Sequence, residues 1–321
     1  MIDSIDESTH VTHGWGSAAL RCTVPDACRV HSKGSVAVSL GIWLTIAAAL
    51  AWSAFDACRK TLVASTRPAP LAAALAWAQA PVFALWAWAE ADSHIQASYL
   101  VPGLKVALLN TVACLGFFTA LRRADLSRTV PLLSLSPVFA SLLSAWVLDE
   151  RLHSEQWVGV ALVVGGALLL AKPRRDSHGA RDWRGPAWMT LTALFWAGTT
   201  VYDKVSLQHA SMAAHAGVQT LALALALSLW LAARGQLNAM ATVQQRPVVF
   251  IVGVLVSTLA LGLQLEAISL IPVGIMESLK RATGMVAALL VGRLVFNEAL
   301  GALKWSAVSA MSVGVWFVVQ P

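Results

Sequence analysis

Polar residues break this chain at nearly regular intervals, and between the breaks stand runs of about 20 residues dominated by Ala, Leu and Val. At about 1.5 Å rise per residue, such a run spans the roughly 30 Å hydrocarbon core of a bilayer as a helix. The pattern predicts ten of them, over residues 38–58, 70–89, 100–121, 129–148, 155–172, 186–204, 212–233, 247–269, 272–296 and 301–319. No run alternates apolar and polar with period two, which argues against a transmembrane barrel. The first 35 residues differ: Asp3, Asp6, Glu7, Arg21, Arg29 and Lys33 punctuate them, and no apolar run intervenes. Without the short apolar stretch and small-residue cleavage site of a signal peptide, they read as a disordered extension.

Composition turns the helix pattern into a requirement. The 321 residues are 57% hydrophobic and 12% charged, with mean hydropathy +0.67. That leaves too few polar side chains to coat a water-soluble domain of this size, so the bilayer is the expected partner. The net charge of +6 suits lipid headgroups, and no basic stretch interleaved with aromatics points to nucleic acid. Cys22 and Cys28, with His13 and His31, lack the spacing of a zinc site. Cys58 and Cys114 lie in apolar runs and read as packed thiols. Neither a metal nor a cofactor is expected.

A repeat organises the ten runs. Trp52…Lys60 in the first recurs as Trp196…Lys204 in the sixth, with the same separation. Leu148-Asp-Glu150-Arg-Leu152, followed by Trp157 and Gly166, recurs as Phe296-Asn-Glu298-Ala-Leu300, followed by Trp305 and Gly314. The offsets are nearly equal, so the chain divides into five-helix halves at residues 36–172 and 186–321, joined by a polar, helix-breaking linker at 173–185. Five is odd, so the second half enters the membrane from the opposite side and the repeats are inverted. The fold class is thus an all-α membrane protein of ten transmembrane helices in two inverted-topology repeats.

These features resemble the drug/metabolite transporter superfamily, specifically its ten-helix EamA-type permeases, over roughly residues 38–320. The resemblance is carried by the paired Trp and Lys, by Pro131 and Pro137 in the fourth run, by the Glu150 and Glu298 turns, and by Leu279-Lys280-Arg281. It implies a permease for small metabolites or drug-like solutes, working without ATP hydrolysis in a bacterial inner membrane. The second half departs from the pattern, for it lacks the paired prolines and carries Glu277, Lys280 and Arg281 instead.

Charges inside apolar runs are the sharpest candidates, because each costs about 2.5–3.5 kcal/mol at mid-bilayer unless a partner or water meets it. Glu277 and Arg281 stand four apart with Lys280 at three, so acid and bases share a helical face. Asp56 and Lys60 have the same four-residue spacing. These five are expected to line a solute pathway, a carboxylate serving proton coupling and a cation a substrate carboxylate or phosphate. Alternatively Asp56 and Lys60 snorkel to the interface from a helix end. Asp203 and Lys204 close the sixth run, and Glu266 lies within the eighth. Trp52 and Trp196 either wall the cavity or mark the headgroup belt. Asn110 and Gln264 need hydrogen-bond partners at depth, from a neighbouring helix or from solute. Glu150 and Glu298 read as structural caps. Ser306, Ala310 and Gly314 form a small-residue stripe that seats a neighbouring helix, conceivably in a homodimer.

Two other function classes share this architecture. A lipid-linked sugar flippase needs a lateral opening, which sequence does not reveal; a membrane-embedded enzyme needs a catalytic signature, and none of the common ones is found. Orientation meets a conflict. Arg67, Arg122, Arg123, Arg128, Lys172, Arg174, Arg175, Arg181 and Arg184 cluster after the first, third and fifth runs, which places those connections in the cytoplasm by the positive-inside rule. The resemblance instead implies cytoplasmic termini.

Overall fold

The structure is a computed structural model and describes residues 24–63, 66–123, 130–170, 183–237, 246–296 and 302–320. The chain forms two compact units, Met1–Val36 and Ala37–Pro321. Ten α-helices occur among the described residues: α1 (Val24–Val63), α2 (Pro68–Ala89), α3 (Leu100–Arg123), α4 (Ser136–Val147), α5 (Ser154–Leu170), α6 (Arg184–Leu207), α7 (Met212–Ala232), α8 (Pro247–Leu270), α9 (Val273–Phe296) and α10 (Ala302–Val319). Each overlaps one predicted run. The helix α1 starts at Val24, inside the stretch read from sequence as an extension. Pro68 and Pro247 open α2 and α8, where a missing N–H costs nothing. Five spans are long and apolar enough to cross a membrane: Val36–Val63, Pro68–Ala89, Ala97–Arg123, Met212–Ala232 and Pro247–Leu270.

The fourth run departs from expectation. Its first part, Val130–Leu135, winds as a 3-10 turn, and only Ser136–Val147 is α-helical. Pro137 at the helix start has no N–H to give back to the carbonyl four residues earlier, which is that of Leu133. The carbonyl therefore accepts no α-helical bond from that position and keeps a lone pair open to a side-chain donor.

The most extensive helix contacts are α3 with α6, α5 with α10 and α2 with α7. Each joins a helix before residue 173 to one after it. The α5–α10 contact is a close backbone approach, since a Cβ added at Gly159 would lie 2.6 Å from the Gly314 carbonyl oxygen and 2.8 Å from the Val318 nitrogen. The packing stripe of α10 is therefore Ala307, Met311, Gly314 and Val318, all buried, and its neighbour is α5 of the same chain. Of the stripe expected from sequence only Gly314 takes part; Ser306 is exposed. Gly159→Ala forces two backbones apart, and overpacking of this kind costs about 1–3 kcal/mol. The melting temperature in detergent is expected to fall accordingly. In Gly165→Ala, where an added Cβ meets nothing within 4 Å, it is expected to hold.

Candidate functional site

Five helices converge on Glu277, which is 2% exposed. Its spacing on α9 puts Lys280 on the same face, and the Lys280 ammonium donates to Glu277 Oε1 at 2.5 Å. Thr200 of α6 donates to the same oxygen at 3.2 Å, and Ser136 of α4 to Oε2 at 3.3 Å. Lys280 also donates to Gln264 Oε1 of α8 at 3.2 Å, and that oxygen accepts the Trp52 indole N–H of α1 at 2.9 Å. A continuous polar chain therefore runs Trp52–Gln264–Lys280–Glu277–Thr200 through apolar helices. Such a chain is tolerable in a bilayer because every charge in it is met.

Arg281 is placed differently from the sequence expectation. It does not pair with Glu277 by hydrogen bond; its NH2 donates to the Leu133 carbonyl at 2.9 Å. This is the oxygen that the Pro137 nitrogen cannot bond, which keeps a lone pair open to the arginine. The Arg281 Nε is buried with no hydrogen-bond partner. Glu277 and Asp56 both act on the guanidinium through their charge, and among the described residues no carboxylate meets it at contact.

The facing wall comes from α1, α3 and α6. Asp56 pairs with Arg59 at 2.8 Å, three residues on, in place of the expected Asp56–Lys60 pair. Both side chains remain accessible, Asp56 at 59% and Arg59 at 43%. The Arg59 guanidinium sits 5.9 Å from the Phe117 ring of α3, and the Asp56 charge acts on Arg281. Trp196 packs 5.5 Å from Phe117 and donates its indole N–H to Asn110 Oδ1 at 3.2 Å. The two repeat tryptophans thus behave alike. Each gives its N–H to a side-chain amide, Trp52 to the eighth helix and Trp196 to the third.

Of the ten residues expected in the pathway, the structure brings together Glu277, Lys280, Arg281, Asp56, Trp52, Gln264, Trp196 and Asn110. Lys60 is exposed four residues beyond Asp56. Glu266 points away from the cluster on the exposed side of α8. Arg59, Ser136, Thr200 and Phe117 were missed, since a lone Ser or Thr in an apolar run carries no distinguishing signal. Glu150 does cap a helix, though not its own neighbour in sequence: Oε2 accepts the Val273 N–H at the start of α9 (2.9 Å), and Oε1 meets Lys204 at 2.6 Å. Glu298 and the side chains of His13, Cys22, Cys28 and His31 lie outside the described part. Among the described residues no group of three His, Cys, Asp or Glu is placed to hold a metal.

Comparison with known proteins puts this architecture in context. A solved crystal structure superposes with a TM-score of 0.68 at 17% identity, over 87% of this chain and 96% of that one, a likeness of fold alone. Among curated relatives, a protein described as an uncharacterized transporter in the cobO 3′ region of a Sinorhizobium species is 42% identical over 57 residues, 18% of this chain and 40% of that protein. A probable 4-amino-4-deoxy-L-arabinose-phosphoundecaprenol flippase subunit ArnE of Pseudomonas fluorescens is 42% identical over 52 residues, 16% of this chain and 46% of its own. The corresponding probable ArnF subunit of Sodalis glossinidius is 35% identical over 95 residues, 29% of this chain and 71% of its own. The chain thus spans less than half the length of the first two of these relatives. The model of the EamA-like transporter family matches twice, at residues 39–172 and 183–320. With apolar helices long enough to cross a bilayer and both parts of the chain matched, this integral membrane protein belongs to the EamA-like transporter family, within the drug/metabolite transporter superfamily.

Proposed function

We propose that the protein is a secondary carrier for a small solute bearing a carboxylate or phosphate, working by alternating access in a bacterial inner membrane. All ten helices span the bilayer in this reading, and the halves at 36–172 and 186–321 are inverted repeats. The observation that carries the reading is the charge balance of the cavity. Among the described residues, Asp56 and Glu277 accompany Arg59, Lys280 and Arg281, which leaves one positive charge over within this group, and Arg281 has no carboxylate in contact. An uncompensated cation in a low-dielectric site favours an anionic ligand. Trp52, Trp196 and Phe117 supply flat apolar walls for the rest of the solute.

The test is uptake into proteoliposomes of anionic metabolites, neutral nucleosides and cationic drugs, with and without a pH gradient. Saturable flux is expected for anionic solutes, and stronger flux under the gradient because water reaches the Asp56 carboxylate. Flux confined to cations overturns the charge argument.

A second reading has its own observation. Between α2 and α7 a groove of about 660 Å³ opens on the outer surface, lined by Trp77, Pro81, Trp88, His94, Val218 and Leu221 among others. An apolar trough with a polar end suits the chain of a lipid-linked anion, the kind of substrate named for the flippase-subunit relatives. Translocation of a lipid-linked sugar phosphate, with no flux of any soluble anion, decides for this reading.

A further inference from the structure

Away from the solute cavity, a second polar cluster is buried where the α2–α3 connection meets the α6–α7 connection. Tyr99, Asp203, His215 and Gln219 are each less than one-tenth exposed. One tautomer links them as a directed chain, with Gln219 Oε1 left buried and without a hydrogen-bond partner. Gln219 Nε2 donates to the Tyr99 hydroxyl oxygen (2.9 Å) and to the Gly103 carbonyl (3.0 Å); the Tyr99 hydroxyl donates to His215 Nδ1 (2.9 Å); His215 Nε2–H donates to Asp203 Oδ1 (3.1 Å). The same two connections are sewn together just outside the cluster. Ile95 opposes Ala210 in an antiparallel bridge, Gln96 N–H donates to the His209 carbonyl and Ser211 N–H to the His94 carbonyl. This end of the bundle is therefore closed.

The bonds divide between two kinds. Asp203 on α6 and His215 on α7 belong to one hairpin, whereas Tyr99 precedes α3 on the other side of the seam. A proton added to His215 makes both ring nitrogens donors. The bond to Asp203 becomes charge-assisted and stronger. Nδ1–H, however, now faces a Tyr99 oxygen that already accepts from Gln219, and the Tyr99 hydroxyl proton is left without its acceptor in a buried place. Protonation thus tightens the hairpin and loosens the seam. Most other ionisable groups on the surrounding elements are engaged elsewhere, whereas Glu90 Oε2 is buried without a hydrogen-bond partner. Lys204 is bound to Glu150, Lys105 of α3 to Tyr202, His209 to Ser98 and His94 to the Asp92 carbonyl. Glu277 reaches α6 only through Thr200, Glu266 faces outward, and Glu90 and Asp92 lie past the end of α2.

We propose that Asp203 and His215 form a proton-binding site separate from the solute cavity, and that a proton there releases the α6–α7 connection from the α2–α3 connection and opens this face. The proposal rests on the alternating-access reading above, and the experiment separates the two. In full-length protein in lipid nanodiscs, with Cys22, Cys28, Cys58 and Cys114 replaced by Ser, nitroxides are attached through Ser93→Cys and Ser211→Cys, positions whose hydroxyls lie 3.4 Å apart. Spectra are taken at about pH 8 and about pH 5.5. Strong dipolar broadening is expected at the higher pH and its loss at the lower. His215→Gln should stay broadened at both values, and Tyr99→Phe, which lacks the seam bond, should be weakly broadened at both. Broadening that ignores pH in the parent, or a His215→Gln variant that follows the parent, overturns the proton latch.

Access itself is tested by Ile95→Cys with Ala210→Cys in the same background. Antiparallel partners flanked by bonds between their neighbours sit about 4.5 Å apart, within disulfide reach. The cross-link is expected to stop flux in proteoliposomes and reductant to restore it. Flux that survives the cross-link refutes alternating access; blocked flux with pH-insensitive broadening refutes the latch alone.

Discussion

Glu277→Gln is expected to abolish saturable flux and to lower stability by about 3 kcal/mol, read as a fall in the melting temperature of the purified protein. The amide oxygen can still accept from Thr200 and the amide N–H can donate to the Ser136 hydroxyl oxygen, so the shape of the site survives. What is lost is the counter-charge to Lys280, whose ammonium stays in the bundle at 20% exposure with only neutral amide oxygens, that of Gln264 and that of the new side chain, to donate to. Breaking a buried pair from one side costs about 3–5 kcal/mol, and the lower figure applies because water reaches Lys280 in part. The double variant Glu277→Gln with Lys280→Gln removes both charges and should recover most of the stability while transport stays lost. A single variant that melts like the parent would show that the pair contributes nothing to folding. A double variant that transports would show that the polar chain is scaffold and not solute site.

The helices were legible because apolar runs broken by polar residues stand in the sequence, and each of the ten α-helices among the described residues overlaps one of them. Helix partners were not. That α3 seats against α6, or that α10 packs on α5 through Gly314, depends on contacts between distant segments, which periodicity does not encode. The charges on α9 were legible as a group since 277, 280 and 281 share a face at any helical phase. Their partners were read less well. Spacing alone favoured Arg281 for Glu277 and Lys60 for Asp56, but side-chain reach and the Leu133 carbonyl freed by Pro137 decided for Lys280 and Arg59. His215 was passed over because a single histidine in an apolar run has no local signature. Its meaning comes from Asp203, twelve residues earlier, and from Tyr99 across the seam.

Lys204→Met is expected to lower stability by about 2–3 kcal/mol and, at about pH 8, to weaken the dipolar broadening between nitroxides at positions 93 and 211. The ammonium ties three connections at one end of the bundle: it pairs with Glu150 from the α4–α5 turn, donates to the Ile271 carbonyl (2.8 Å) in the α8–α9 turn, and is itself fixed near the end of α6. Asp149, at φ 54°, turns the chain so that Glu150 faces inward; Asp tolerates that left-handed conformation better than most residues. Without Lys204 the Glu150 carboxylate keeps only the Val273 N–H, and the Ile271 carbonyl loses its side-chain donor. Both partners are about one-sixth exposed, so the penalty falls somewhat below that of a fully buried pair. Glu150→Gln keeps one oxygen, which serves the Val273 N–H or Lys204 but not both, and it leaves the ammonium without a counter-charge, so its cost should also be about 2–3 kcal/mol. Because Lys204 adjoins Asp203, this tie and the histidine latch hold the same helix end, and their effects on broadening should exceed the sum of the single variants when Lys204→Met is combined with Tyr99→Phe. Strict additivity would mean that the two ties act on separate movements, leaving the closed end with no single gate.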